Sequence, residues 1–124
     1  YRYLVMKTQY LHNLPADWKP VARIFAALGD STRQTILLLF EPGERLSIKT
    51  IADLLPFSRT AVVHHLKVLE DAGLISPEKR GRDVYYHVEL ETALDALERV
   101  GAYVRDDLRI LAEARADTGP HTNE

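Results

Sequence analysis

The chain has 124 residues, 46% of them hydrophobic and 27% charged, with a net charge of −2 and no cysteine. This fits one compact domain with a real core, and the charged fraction is that of an ordinary globular protein rather than a disordered chain. The lack of cysteine excludes disulfides, thiolate metal sites and thiol redox switches together, and the short apolar runs exclude a membrane helix, which needs roughly 20 residues.

Residues 1–19 read as an aromatic-rich, irregular N-terminal extension punctuated by Pro15. Met6 is a candidate natural start, which would set Tyr1 to Val5 apart. From Pro20, the apolar residues Val21, Ile24, Phe25 and Leu28 recur at three and four, one face of a helix ended by Gly29. Asp30 is a natural N-cap for a second helix whose apolar residues run from Ile36 to Phe40, stopped by Pro42 and Gly43. Ser47 caps a short third helix carrying Ile48, Ile51, Ala52, Leu54 and Leu55. Pro56 and Phe57 then turn the chain, because proline disfavours helix in the residue before it. Ser58 caps a fourth helix with Val62, Leu66 and Leu69 inward and Gly73 just past its end. Leu74 to Ser76 and Val84 to Val88 read as a β-hairpin around a charged loop. A last helix, about residues 91–114, is followed by a polar tail, 115–124, expected to fray. The fold expected is mainly α with a small β-hairpin (α+β), in the order α-α-α-α-β-β-α, with residues 20–114 as one domain.

A short helix, a tight turn, a second helix and a hairpin together describe a winged helix-turn-helix. The fourth helix divides as a DNA reader must. With Val62, Leu66 and Leu69 inward, Arg59, Thr60, Val63, His64 and Lys67 fall on the opposite side, and Ser58 opens the helix. Arginine suits guanine edges, threonine a thymine methyl or a phosphate, and lysine phosphates. The alternative is an ordinary solvated helix face. Lys79, Arg80 and Arg82 surround Gly81 at the hairpin tip, where a narrow minor groove would attract them; the bland reading is a solvated turn. His65 borders the packed face and reads as structural, whereas His64 points with Thr60 and Lys67. The charge is uneven: residues 1–88 hold 12 Lys/Arg against 9 Asp/Glu, and residues 89–124 hold 4 against 9. A mildly basic body with an acidic end is the asymmetry expected when one face meets nucleic acid.

Two stretches carry a family resemblance. Ala27-Leu28-Gly29-Asp30-Ser31-Thr32-Arg33 and the run from Ala61 to Ile75, AVVHHLKVLEDAGLI, resemble the hallmark segments of the ArsR family of bacterial regulators. Gly81-Arg82-Asp83-Val84-Tyr85-Tyr86 is similar to its wing. The likeness spans roughly residues 20–112 and implies a dimeric repressor on an imperfect palindrome; many members release DNA on binding a metal ion. Two positions depart from the family pattern. Pro56 stands where glycine is frequent, which should stiffen the turn. Val63 stands where serine is common, so the family's operator contacts do not carry over.

The last helix has Leu94, Leu97, Val100 or Gly101, Val104, Leu108 and Leu111 along one stripe. It either packs on its own domain or, as the family architecture implies, pairs with its twin. Leu94, Leu97, Val104 and Leu108, with Ile24 of the first helix, are the expected dimer interface. Partners are therefore double-stranded DNA and a second copy of the chain, with no membrane and a cytoplasmic location. No metal site and no cofactor are expected: the family's thiolate sites need cysteine, and the last helix has carboxylates but no histidine, a poor donor set for zinc. His12, His87 and His121 are scattered. Trp18, Tyr10 and Tyr103 are candidates to line a pocket for an unidentified small-molecule effector, or else simply pack. The rival functions are a winged-helix protein-interaction module that no longer binds DNA, a metal-responsive repressor using His and carboxylate ligands, and a repressor without inducer. An enzyme is not expected, because no phosphate loop, nucleophile elbow or paired-carboxylate motif stands out.

Overall fold

The computed structural model describes residues 14–118. After a 3-10 turn at Ala16–Trp18 come α1 (Lys19–Leu28), α2 (Ser31–Leu38), β1 (Leu46–Ser47), α3 (Ile48–Leu54), α4 (Arg59–Asp71), β2 (Ile75–Arg80), β3 (Asp83–Val88) and α5 (Leu90–Asp117). Four helices, a hairpin and a last helix follow in the expected order, with one strand added. β1 pairs antiparallel with β3 through Leu46↔Tyr86 and Ser47↔Tyr85, giving a sheet ordered β1-β3-β2. Two residues are too few to show a period, so the sequence alone does not reveal this strand.

Local chemistry sets the helix ends. The Asp30 carboxylate accepts from the Arg33 amide, the Ser47 hydroxyl from Thr50 and the Ser58 hydroxyl from Ala61, so all three expected caps are made. Leu55, before Pro56, is extended at φ −113° and ψ 145° and ends α3. At the end of α4, Gly73 takes φ +80°; its amide donates to the Glu70 carbonyl while Leu74 donates to Leu69. These paired bonds are a Schellman closure, which favours glycine at the left-handed position.

Three boundaries differ from expectation. α2 stops at Leu38, and Leu39 and Phe40 only taper it with bonds back to the carbonyls of Ile36 and Leu37. β2 continues through Pro77 to Arg80, leaving Gly81 and Arg82 as a two-residue turn. Pro77 does not interrupt it, because β2 is an edge strand and can spare an amide. Gly81 at φ +63° fills the first turn position, as a type II′ hairpin requires. α5 runs on through residues 115–117, placed in the tail by sequence; the strong helix formers of Ala112 to Ala116 and the Arg109–Glu113 ion pair extend it.

The core gathers around α4. Ile36, Ile51, Val62, Leu66, Leu69, Leu74 and Ile75 are all sealed from solvent, each burial contributing about 1.5–3 kcal/mol. Tyr86 joins them from β3, and burial, reinforced by Glu70, raises its phenol above the ordinary range. From α5 only Ala96 is buried. Ile24, expected at the dimer interface, is 6% exposed and joins the core of its own protomer. The spacing that puts Ile24 on the inner face of α1 does not say which of two inner surfaces it meets.

Candidate nucleic-acid interface

The helix-turn-helix consists of α3, the turn at residues 55–58 and α4. Val62, Leu66 and Leu69 lock α4 against the core, leaving Ser58, Arg59, Thr60, Val63, His64 and Lys67 exposed on the opposite side. Lys67 lies 3.2 Å from Asp71, an exposed pair one turn apart. His65 is half-buried, and its Nδ1 lies 3.3 Å from Arg33 Nη1. A guanidinium has no acceptor, so the imidazole nitrogen accepts. The same guanidinium donates to the Ala27 carbonyl at 2.7 Å and the Ala26 carbonyl at 3.1 Å. Arg33 thus ties the end of α1, through α2, to α4. Its place in the hallmark stretch is the one sequence signal for this role.

The wing cations differ in their surroundings. Lys79 pairs with Val84 and Arg80 with Asp83 across the hairpin, so the two cations leave opposite faces. Arg82 is exposed and makes no ion pair among the described residues. Arg80 lies 2.9 Å from Glu78 and stacks 5.7 Å from the centre of the Tyr85 ring. Arg45, from the loop before β1, bonds the same carboxylate at 2.7 Å. Arg45 first, with Arg80 adding, holds the Glu78 carboxyl below the ordinary range.

Between wing and helix-turn-helix lies a cleft lined by Ser47, Ile48, Lys49, Arg59, Arg82, Asp83 and Val84. It brings together cations from the start of α3, the start of α4 and the wing turn. Arg59 and Arg82 were named from sequence and Lys49 was not. Lys49 meets Asp53 at 2.9 Å, but both are well exposed, and such pairs hold weakly. What α4 and the wing share is a basic seam, whose signal in sequence is dispersed over three elements.

On α5, Leu94, Leu97, Val104 and Leu108 are 53%, 52%, 48% and 59% exposed. With Leu90, Gly101 and Leu111 they are spaced by fours and threes, an apolar seam that no other described residue of the protomer covers. Trp18 packs edge-on against Tyr103 at 5.9 Å and under Arg99 at 5.5 Å, and Arg99 also bonds the Asp17 carbonyl at 2.8 Å. These contacts strap the 3-10 turn to α5, so two of the three aromatics expected to line an effector pocket, Trp18 and Tyr103, pack on each other. Tyr10, His12 and His121 lie outside the described residues. Among the described residues no three metal-ligating side chains gather, and His87 meets only Glu89, at 3.3 Å. No described helix is long and apolar enough to cross a membrane.

A family model described as a helix-turn-helix domain matches residues 28–78. The chain is 31% identical over 74 residues to the transcriptional repressor SdpR of Bacillus subtilis, spanning 60% of this chain and 81% of that one. Among solved structures it is similar to an ArsR-like transcriptional regulator from Rhodococcus sp. RHA1, with a TM-score of 0.76 and 28% identity over 82% of this chain and 95% of that one. It also resembles the homodimeric winged helix-turn-helix DNA-binding domain Mb0332 from Mycobacterium bovis, with a TM-score of 0.58 and 30% identity over 70% of this chain and 82% of that one.

Proposed function

The chain belongs to the ArsR family of winged helix-turn-helix transcription regulators, and from that premise we propose a homodimeric repressor that grips a palindromic operator. It acts by binding rather than catalysis, in the cytoplasm, with residues 19–117 as the working domain. The observation that carries this is the two-sided α4: one face is sealed into the core, and the other opens beside a seam of Lys49, Arg59 and Arg82. Ser58, Thr60, Val63 and His64 then face base edges or the adjoining backbone. Arg59, Lys67, Lys79, Arg80 and Arg82 meet phosphates, which position the protein without reading sequence. Val63 supplies an apolar contact, suited to a thymine methyl.

The uncovered seam of α5 supports the dimer. Its alternation of threes and fours is the spacing with which two helices interlock, and pairing covers leucines otherwise half in water. A two-fold axis there sets two α4 helices to face major grooves about 34 Å apart, one turn of DNA.

The test is fluorescence anisotropy on the duplex upstream of the chain's own gene, across a salt series, for wild type and Arg59→Ala/Arg82→Ala. We expect palindrome-dependent binding whose log–log salt slope falls by about 2 in the double variant, roughly 0.9 per lost phosphate contact. Binding no tighter than to a random duplex of equal length would sink the reading.

A further inference from the structure

Arg80 and Arg82 flank the same glycine, yet only one of them is held. Glu78, Arg80, Tyr85, Ser47 and Arg45 alternate onto the outer face of the sheet, where Glu78 stands opposite Tyr85 and Tyr85 opposite Ser47. One oxygen of Glu78 accepts from Arg45 Nε at 2.7 Å and Arg80 Nε at 3.1 Å, and Arg80 Nη2 lies 2.9 Å from it. The Tyr85 ring flanks the Arg80 guanidinium on another side. Asp83, the cross-strand neighbour of Arg80, makes no ion pair with it, so register alone does not produce the pairing.

We propose that Glu78 is an internal competitor for the DNA backbone: anchored by Arg45, its carboxylate occupies Arg80 where a phosphate would otherwise draw it. A carboxylate and a phosphate ask the same fork of donors from a guanidinium. The Glu78 pairs are about half-exposed, and pairs of that kind exchange readily. Arg82 and Arg59 therefore make the standing electrostatic contacts, and Arg80 is delivered only when a well-docked phosphate displaces Glu78. The consequence is discrimination: a random duplex, loosely seated, meets a wing with part of its charge withheld. This inference rests on the DNA-binding reading above and adds to it the residue that limits non-specific affinity.

The experiment measures full-length wild type, Glu78→Gln, Arg80→Ala and Glu78→Gln/Arg80→Ala on the upstream duplex and on a random duplex, each over a salt series. Glutamine keeps the shape of glutamate, and circular dichroism with thermal melting checks that each variant is folded. On the random duplex, Glu78→Gln should bind about five- to tenfold tighter at 0.1 M salt, with a slope steeper by roughly 0.9, one further phosphate contact. Adding Arg80→Ala should abolish that gain, whereas Arg80→Ala alone should barely change random binding. The ratio of operator to random affinity should fall in Glu78→Gln. Unchanged random binding in folded Glu78→Gln overturns the proposal. So does a gain that persists without Arg80, since it then comes from the lost negative charge or from Arg45 and not from a released Arg80. Wild type that prefers no duplex defeats the DNA reading itself, a result distinct from these two.

Discussion

At the scale of single residues, the structure depends on polar side chains that each settle one backbone demand. Asp30 is the clearest. The Arg33 amide, first among its influences, holds its carboxyl below the ordinary range, because a carboxylate accepts that bond better than a neutral acid does. A folded-state value below the unfolded one gives stability that is present above the carboxylate range and lost as pH falls through it. Wild type should therefore melt at lower temperature as pH drops from 6 towards 3. Asp30→Asn should melt below wild type at pH 6, with the gap closing towards pH 3. A gap independent of pH in thermal melts would mean that charge at Asp30 does not matter. Arg33 is the companion case. It bonds the Ala26 and Ala27 carbonyls of α1 and the ring of His65, so one side chain of α2 fastens three helices together.

At the scale of elements, α4 and the wing show how ends govern function. The first turn of α4 carries Arg59 and Thr60 and is closed by the Ser58 hydroxyl on the Ala61 amide at 3.1 Å. Ser58→Ala leaves that amide to water and should cost about 1 kcal/mol of stability. We expect faster hydrogen exchange at Ala61 and Val62, and weaker operator binding in proportion to the frayed turn. Unchanged exchange there would show that core packing of Val62 alone keeps the turn closed. In the wing, the type II′ turn reduces the loop to Gly81 and Arg82, so the tip presents Arg82 and returns Arg80 to the sheet face beside Glu78. A longer, looser loop, as the charged stretch suggests by itself, would have left both arginines equivalent.

At the scale of the whole molecule, the question is why a 28-residue helix should fold with a single buried residue. Isolated helices are only marginally stable in water, and most helical stability in proteins comes from packing an apolar face. The seam of Leu94, Leu97, Val104 and Leu108 calls for a second copy. A carboxylate buried there without a partner would cost several kcal/mol, so Val104→Asp should sediment as a monomer. It should also lose affinity for the palindrome far more than for a half-site duplex, since each half-site needs only one α4. A dimer that survives Val104→Asp in sedimentation would place the interface elsewhere.

The elements and their caps were legible in the sequence because they answer to neighbours within four or five residues. Asp30, Ser47, Ser58, Pro56 and Gly73 act on amides and carbonyls close by, and the three- and four-residue spacing of Val62, Leu66 and Leu69 marks the buried side of α4 whatever packs on it. The exposed side of that helix, with Arg59, Thr60 and His64, follows by the same geometry. Other features needed the fold. β1 exists only because β3 lies beside it, and β2 passes Pro77 only because its outer edge is free. Ile24 belongs to the core because α4 and α5 close over it. Lys49 lines one cleft with Arg59 and Arg82, and Glu78 gathers Arg45 and Arg80, across chain separations that no periodicity encodes. Local backbone chemistry decides where helices begin and end; which charges share a cleft, and which cation is left free, is decided by the way the sheet brings distant strands into register.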